Sequence, residues 1–184
     1  MDKVNIKLTE TILEEIDSNP SVREAGLRRN KEAFETFKHW IVKPVLEVGC
    51  RQGVLLSFIG GEDLYGIDIS ELALKRFQFN GANANAEQLP FKSESFNTVF
   101  ALHVIEHCRN TDEAIKEIHR VLIPGGHLLL ELPLQKKEPV PTKWGHWYCF
   151  ETEEEILKKF NFLFKKIKVF KKINKPWRRI VFKK

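Results

Sequence analysis

Two acids and two glycines stand at spacings that suit the binding of a nucleoside. Glu47-Val-Gly-Cys-Arg-Gln-Gly53 follows a short apolar run, Pro44-Val-Leu-Glu-Val48, and opens a segment suited to a helix, Gly53 to Ile59. Gly49 permits a tight turn, and Gly53 lets the following helix pack close behind it. Asp68 closes the next apolar run, twenty-one residues after Glu47, near the ~20-residue offset at which an acid meets a ribose. A carboxylate there can accept from both ribose hydroxyls, each charge-assisted bond contributing ~1.5–3 kcal/mol. Read alone, the turn could be purely structural and Asp68 a helix cap before Ser70-Glu71; read together, they favour a nucleoside.

A pyrophosphate-binding turn asks for G-x-G-x-x-G, because the phosphates must approach backbone amides at a helix N-terminus. Here Arg51 stands at the second glycine position. A loop with fewer glycines and an acid at its start better suits S-adenosylmethionine, which has no phosphate and presents an amino acid, a sulfonium and a nucleoside.

These residues need an open sheet to position them. Strands are expected at Pro44–Val48, Leu64–Ile67, Ala82–Ala86, Thr98–Leu102 and His127–Leu132. Helices are expected at Gly53–Ile59, at Glu71–Phe77 capped by Ser70, at Asp112–Leu122 capped by Thr111, and from Thr152 to Phe160. Pro124-Gly125-Gly126 reads as a helix stop and tight turn, and Lys165–Ile173 with Arg178–Phe182 as a hairpin through Asn174-Lys175-Pro176. Upstream, a short helix from Thr9 to Ile16 precedes a helical rhythm from Ser21 to Ile41, interrupted near Gly26. The expectation is an N-terminal helical segment, residues 1–42, packed on an α/β domain, residues 43–184. In such a sheet, ligands sit beyond the C-terminal strand ends, which points to Gly49–Gly53, Asp68, Asn85–Leu89 and His103–His107.

V-L-E-V-G-C-x-x-G, Y-G-I-D-I-S, A-E-Q-L-P-F-K-S-E-S-F-N-T-V, V-I-E-H and H-R-V-L-I-P-G-G-H-L-L-L occur in that order. Together they resemble the type 11 branch of class I S-adenosylmethionine-dependent methyltransferases, which includes quinone-biosynthesis enzymes, from about Pro44 to Leu132. The resemblance implies a Rossmann-like, doubly wound, mostly parallel seven-stranded sheet with an antiparallel C-terminal strand. It places Glu47, Gly49, Cys50 and Gly53 around the methionine part of the cofactor and Asp68 on the ribose. Ile69, Asn85, Ala86 and Glu87 fall beside adenine, and Leu102 and His103 line the reaction centre. Three positions depart from the family pattern: Arg51 for glycine, and Asn85 and Asn97 for acids.

Methyl transfer is an in-line displacement for which the protein must mainly align the reactants and exclude water. A general base is needed only for an acceptor protonated at neutral pH. His103 is the first candidate and His146 the second; packing or substrate orientation is the competing role for each. His107 and His119 read as structural. Trp144, Trp147, Tyr148 and Phe150 could form a lid over a flat acceptor, or simply dock their loop.

The chain carries a net charge of +5, unevenly spread. From Glu155 to Lys184 there are twelve Lys or Arg and one acid, leaving eighteen bases and twenty-four acids in residues 1–154. Solvated lysines on a terminal strand pair explain this more simply than an RNA or lipid partner. No apolar stretch nears the ~20 residues of a membrane span, and the N-terminus lacks the apolar core of a signal peptide. Three scattered cysteines without a CxxC pair argue against a disulfide framework or structural zinc, and no metal is expected; a reducing cytoplasm is. The expected acceptor is a small molecule, reached through an open site or one completed by a second subunit. An RNA or protein acceptor, and a non-catalytic cofactor-binding subunit, are the alternatives.

Overall fold

The computed structural model describes residues 19–171 and 175–184. The helix expected from Thr9 to Ile16, and Lys172, Ile173 and Asn174 of the expected hairpin, lie outside them. Asn19 caps α1 (Pro20–Phe37), its Oδ1 accepting from the amides of Ser21 and Val22 at 3.0 and 3.4 Å. Pro20 takes the first turn, where its missing N–H is not needed. Gly26 does not interrupt α1; an interior glycine costs ~1 kcal/mol against alanine, less than the fully buried Ala33 and Phe37 contribute by packing on the sheet.

The chain continues as β1 (Val45–Val48), α2 (Val54–Ile59), β2 (Leu64–Asp68), α3 (Glu71–Leu74), β3 (Asn80–Asn83) and β4 (Phe96–Leu102). It ends with α4 (Thr111–Val121), β5 (Leu122–Pro133), α5 (Glu153–Phe160), β6 (Lys165–Phe170) and β7 (Trp177–Lys183). These strands form one seven-stranded sheet in the order β3-β2-β1-β4-β5-β7-β6. The first five pair in parallel, and β7 runs antiparallel between β5 and β6. This is the doubly wound sheet with a reversed C-terminal strand that the sequence implied.

Alternation along the strands builds two cores. Leu46, Val99, Leu128 and Leu130 face Ile115 and Ile118 of α4 and Phe160 of α5. Val45, Phe100, Leu129 and Val181 face α1 and α2.

Several boundaries differ from expectation. α3 stops at Leu74 because Phe77 turns inward over a glycine pair: a Cβ on Gly66 or Gly81 would come within 2.4 or 2.7 Å of its ring. The neighbouring strand accordingly lies at Asn80–Asn83 rather than Ala82–Ala86. Asn110, not Thr111, caps α4, accepting from the Glu113 amide at 3.2 Å. Pro124-Gly125-Gly126 is taken into β5, which begins directly at Leu122 and absorbs the glycines as a register shift opposite Phe96 and Thr98.

Candidate cofactor-binding site

β1 and β2 are neighbours, so their C-terminal ends bring Glu47, Gly49 and Asp68 together. Asp68, 6% exposed, clasps two loops at once: Oδ2 accepts from the Arg51 amide and Oδ1 from the Ser70 amide, both at 2.9 Å. Burial pushes its carboxyl up, and the two amides act against that. Arg51 does a glycine's work here, with φ +47, a conformation that costs an L residue ~1–2 kcal/mol; its amide bond to Asp68 is part of what holds it. Gly49 has no such latitude. Its φ is +72, and a Cβ would meet Val104 Cγ2 at 2.5 Å. At Gly53, φ +77, a Cβ would reach Phe77 at 2.8 Å.

Glu47 is 5% exposed, and its Oε2 has no hydrogen-bond partner. Burial, and then the neighbouring Asp68, push its carboxyl well above the usual range. An unpaired buried carboxylate at a ligand-facing strand end fits a ligand with positive charge, and S-adenosylmethionine carries an ammonium and a sulfonium. Cys50 turns its thiol inward, toward the space a Gly66 Cβ would fill; only its backbone belongs to the loop.

The loop after β3, where the sequence expected adenine, is built by a different network. Asn83 Nδ2 donates to the carbonyls of Asp68 and Ile69 at 3.1 and 2.9 Å. Asn85 Oδ1 accepts from the Glu87 amide at 3.0 Å, folding the loop into a turn beside the buried Ala86. Glu87 Oε1 accepts from the Asn110 amide at 3.2 Å, tying the turn to the start of α4. From α4, Glu117 Oε2 accepts from the Leu89 amide at 2.7 Å, while Arg120 donates to the carbonyls of Phe91 and Leu89 at 2.7 and 3.1 Å. Asn97 lies at the far end of β4 and donates to the Lys43 carbonyl, well away from this edge.

Beyond β4, Leu102 packs toward the α1 side of the sheet, and His103 sits between two carboxylates. Nε2 is 2.7 Å from Glu131 Oε1 and Nδ1 is 3.3 Å from Glu106 Oε1, in a backbone held at φ +53. Burial acts to lower the imidazole, but Glu106 and Glu131 outweigh it and raise it to about 9. The other oxygen of Glu131 accepts from Arg179 Nε, and Arg179 reaches on to Glu32 O and Thr36 Oγ1 of α1 at 3.0 and 2.9 Å. His146 has partners of its own, with Nδ1 2.7 Å from Gln135 Oε1 and its ring 4.7 Å from that of His107. The aromatic segment divides. Phe150 is buried, Tyr148 packs against it, Trp147 lies under Arg109 at 4.7 Å, and Trp144 is 59% exposed.

Glu106, Glu131 and Arg179 were not singled out from the sequence. A lone acid inside His127-Leu-Leu-Leu-Glu-Leu132 was the available signal, since a buried charge in such a strand requires a partner.

A seven-stranded sheet of this order, with an acid-led glycine loop at its C-terminal edge, is the class I methyltransferase fold. Residues 46–130 match the family model described as "Methyltransferase domain" (Methyltransf_11), and over that segment the chain is similar to the type 11, S-adenosylmethionine-dependent methyltransferases. It is similar to the uncharacterized methyltransferase YodH of Bacillus subtilis, 34% identical over 111 residues, covering 54% of this chain and 46% of that protein. Its fold resembles an S-adenosylmethionine-dependent methyltransferase structure from Thermotoga maritima, with TM-score 0.72 and 18% identity over 97% of this chain and 99% of the other. It equally resembles the [4+2]-cyclase SpnF, with TM-score 0.76 and 16% identity over 96% and 92%. The chain spans less than half the length of the curated relatives compared, 44%, 46% and 42% for three of them.

Proposed function

We propose that this chain transfers a methyl group from S-adenosylmethionine to a small, flat acceptor that carries an acidic group. The Glu47 carboxylate carries the cofactor half of this reading, because its unbonded oxygen is relieved only by a cationic or hydrogen-bonding ligand group. Asp68 keeps a lone pair on each oxygen for the ribose hydroxyls after serving the two amides. Ile69 and Ala86 offer apolar contact to adenine, and Asn85 Oδ1 has a second lone pair for its amino group. The backbones of Gly49, Cys50 and Gly53 line the methionine end, and Glu87 holds the adenine loop. When bound, the cofactor supplies an already activated methyl group. The protein's part is alignment and exclusion of water.

The acceptor half rests on a cavity of about 480 Å³ whose lining holds four bases, Arg28, Lys31, Lys171 and Arg179, against two acids, Glu32 and Glu35, with Thr36, Phe170 and Trp177. That is within the ~300–1,000 Å³ of small-molecule sites. Trp177 is shared with the reaction edge, its ring 6.3 Å from that of His103. Phe170 and Trp177 provide an apolar floor, and Arg28, Lys31 and Lys171 a basic rim. With a carboxylate against each ring nitrogen, His103 has no lone pair free for an acceptor proton and serves as a fixed, positive wall. Basicity of the C-terminus has a structural use: Lys165, Lys166 and Lys168 are exposed on β6, the open edge of the sheet, where charge discourages strand pairing. Of the departures from the family pattern, Asn97 is remote and Arg51 adopts the glycine conformation, which supports an active enzyme over a non-catalytic subunit. No helix among the described residues is long and apolar enough to cross a membrane, and three unpaired, buried cysteines support a cytoplasmic setting.

Calorimetry with S-adenosylmethionine tests the cofactor half: Asp68→Ala should weaken binding at least ~10-fold, and absence of binding to the wild type overturns it. Incubation with labelled cofactor and separate metabolite, RNA and protein fractions tests the acceptor half. Label is expected in metabolites; label confined to RNA or protein overturns it.

A further inference from the structure

Beside His103, on the loops that leave β4 and β5, lies a second group of chemistry-bearing side chains. Glu106 and His107 end a short 3-10 turn, Ile105–His107. His146 is brought to them by a turn closed on Thr142, whose amide donates to the His146 carbonyl at 2.9 Å and whose Oγ1 accepts from the His146 amide at 3.2 Å. One oxygen of Glu106 and one ring nitrogen each of His107 and His146 lie within 4.8 Å of one another.

The surroundings fix the tautomers. His107 Nδ1 lies 3.2 Å from the Gly145 carbonyl oxygen, and His146 Nδ1 lies 2.7 Å from Gln135 Oε1. Carbonyl oxygens only accept, so each Nδ1 carries the proton and each Nε2 keeps a bare lone pair. Gln135 is itself held, donating through Nε2 to Cys149 Sγ at 3.0 Å. Glu106 is 1% exposed, yet neither of its oxygens has a hydrogen bond; its contact with His103 Nδ1, at 3.3 Å, is ionic only. A buried carboxylate whose ion pair with His103 leaves its oxygens short of hydrogen bonds, beside two imidazole lone pairs, has capacity left for a further cation.

We propose that Glu106, His107 and His146 bind a divalent transition-metal ion, with Zn²⁺ the best match, in an open three-ligand site beside the reaction edge. Two imidazoles and a carboxylate form a donor set that Zn²⁺ takes while keeping a position for water or substrate. Bonds of ~2.0–2.2 Å bring donors to ~3–3.5 Å of one another, a contraction that His107, exposed on its turn, can supply. Gly145 and Gln135 occupy the places of outer partners, which orient ligand imidazoles through their second nitrogen. Exposure of His107 and half-exposure of His146 leave an entry path.

The test is calorimetric titration of chelator-stripped protein with Zn²⁺, without cofactor or acceptor. One ion per chain is expected at micromolar affinity or tighter. His146→Ala and Glu106→Gln should each weaken it at least ~100-fold and Gln135→Leu ~10-fold, while His119→Ala changes nothing. Co²⁺ in place of Zn²⁺ should give a visible ligand-field band that His146→Ala abolishes. Circular dichroism checks each fold, and His107→Ala, at the exposed ligand, serves if Glu106→Gln does not fold. No binding by the wild type, or binding that survives His146→Ala and His107→Ala, overturns the site. Since neither cofactor nor acceptor is present, that failure is separate from any failure of the methyl-transfer reading.

Discussion

His103 Nε2 lies 2.7 Å from Glu131 Oε1, and the other oxygen of that carboxylate receives Arg179. The contact joins the end of β4 to β5, then to β7, and through Arg179 to the backbone of α1. With Glu106 on the second nitrogen of His103, two cations and two anions are buried together and their charges cancel. The helix that walls the proposed acceptor cavity is thereby tied to the strand end where chemistry is proposed.

Glu131→Ala should be among the most destabilising single changes. Removing one member of a buried pair leaves the other charge uncompensated, at ~3–5 kcal/mol. Urea unfolding measures this, with Glu35→Ala at the exposed Lys38 pair as a control that should leave the midpoint unchanged. A Glu131→Ala midpoint equal to the wild type would show that the pair is not held as described.

Glu47→Gln should stabilise the free protein while weakening its grip on the cofactor. The folded-state pKa of Glu47 is raised by burial and then by Asp68. Its contribution to stability is therefore fully present below its unfolded pKa of ~4.3 and lost as pH rises through the folded value. The variant escapes that loss, so its advantage in thermal midpoint should grow as pH climbs from the unfolded value toward the raised folded one. For the wild type, cofactor affinity should rise as pH passes through that folded value and the carboxylate ionises. A variant that is less stable than the wild type at pH 8 would contradict this account.

Arg120→Ala should loosen the adenine loop without touching the ligand. Arg120 holds the carbonyls of Leu89 and Phe91 and pairs with Glu117, which takes the Leu89 amide. Faster amide exchange across residues 85–91 is expected, with cofactor affinity falling a few-fold and exchange in β4 unchanged. Uniform acceleration across the chain would instead indicate global destabilisation.

Replacing Lys165, Lys166 and Lys168 together by Gln should leave turnover on a small acceptor unaltered and increase self-association. These lysines guard the edge strand β6. Light scattering and a salt series on activity distinguish the readings: loss of activity with a flattened salt dependence would favour a polyanionic acceptor.

By itself the sequence determined the sheet and the strand ends at which the cofactor is proposed to bind. Apolar runs ended by Gly49 and Asp68 are local features, because strand burial and tight turns are set by neighbours in the chain. The spacing from Glu47 to Asp68 survives folding because β1 and β2 pair directly. Tertiary structure alone decided the rest. His103 meets Glu131 across 28 residues, Arg179 meets Glu32 across 147, and Gly145 is placed against His107 across 38. No periodicity encodes such contacts, since they depend on strand order and on where the loop after β5 returns. The same return gives His146 a partner, Gln135, different from the Glu131 of His103, although the sequence offered both histidines for one role.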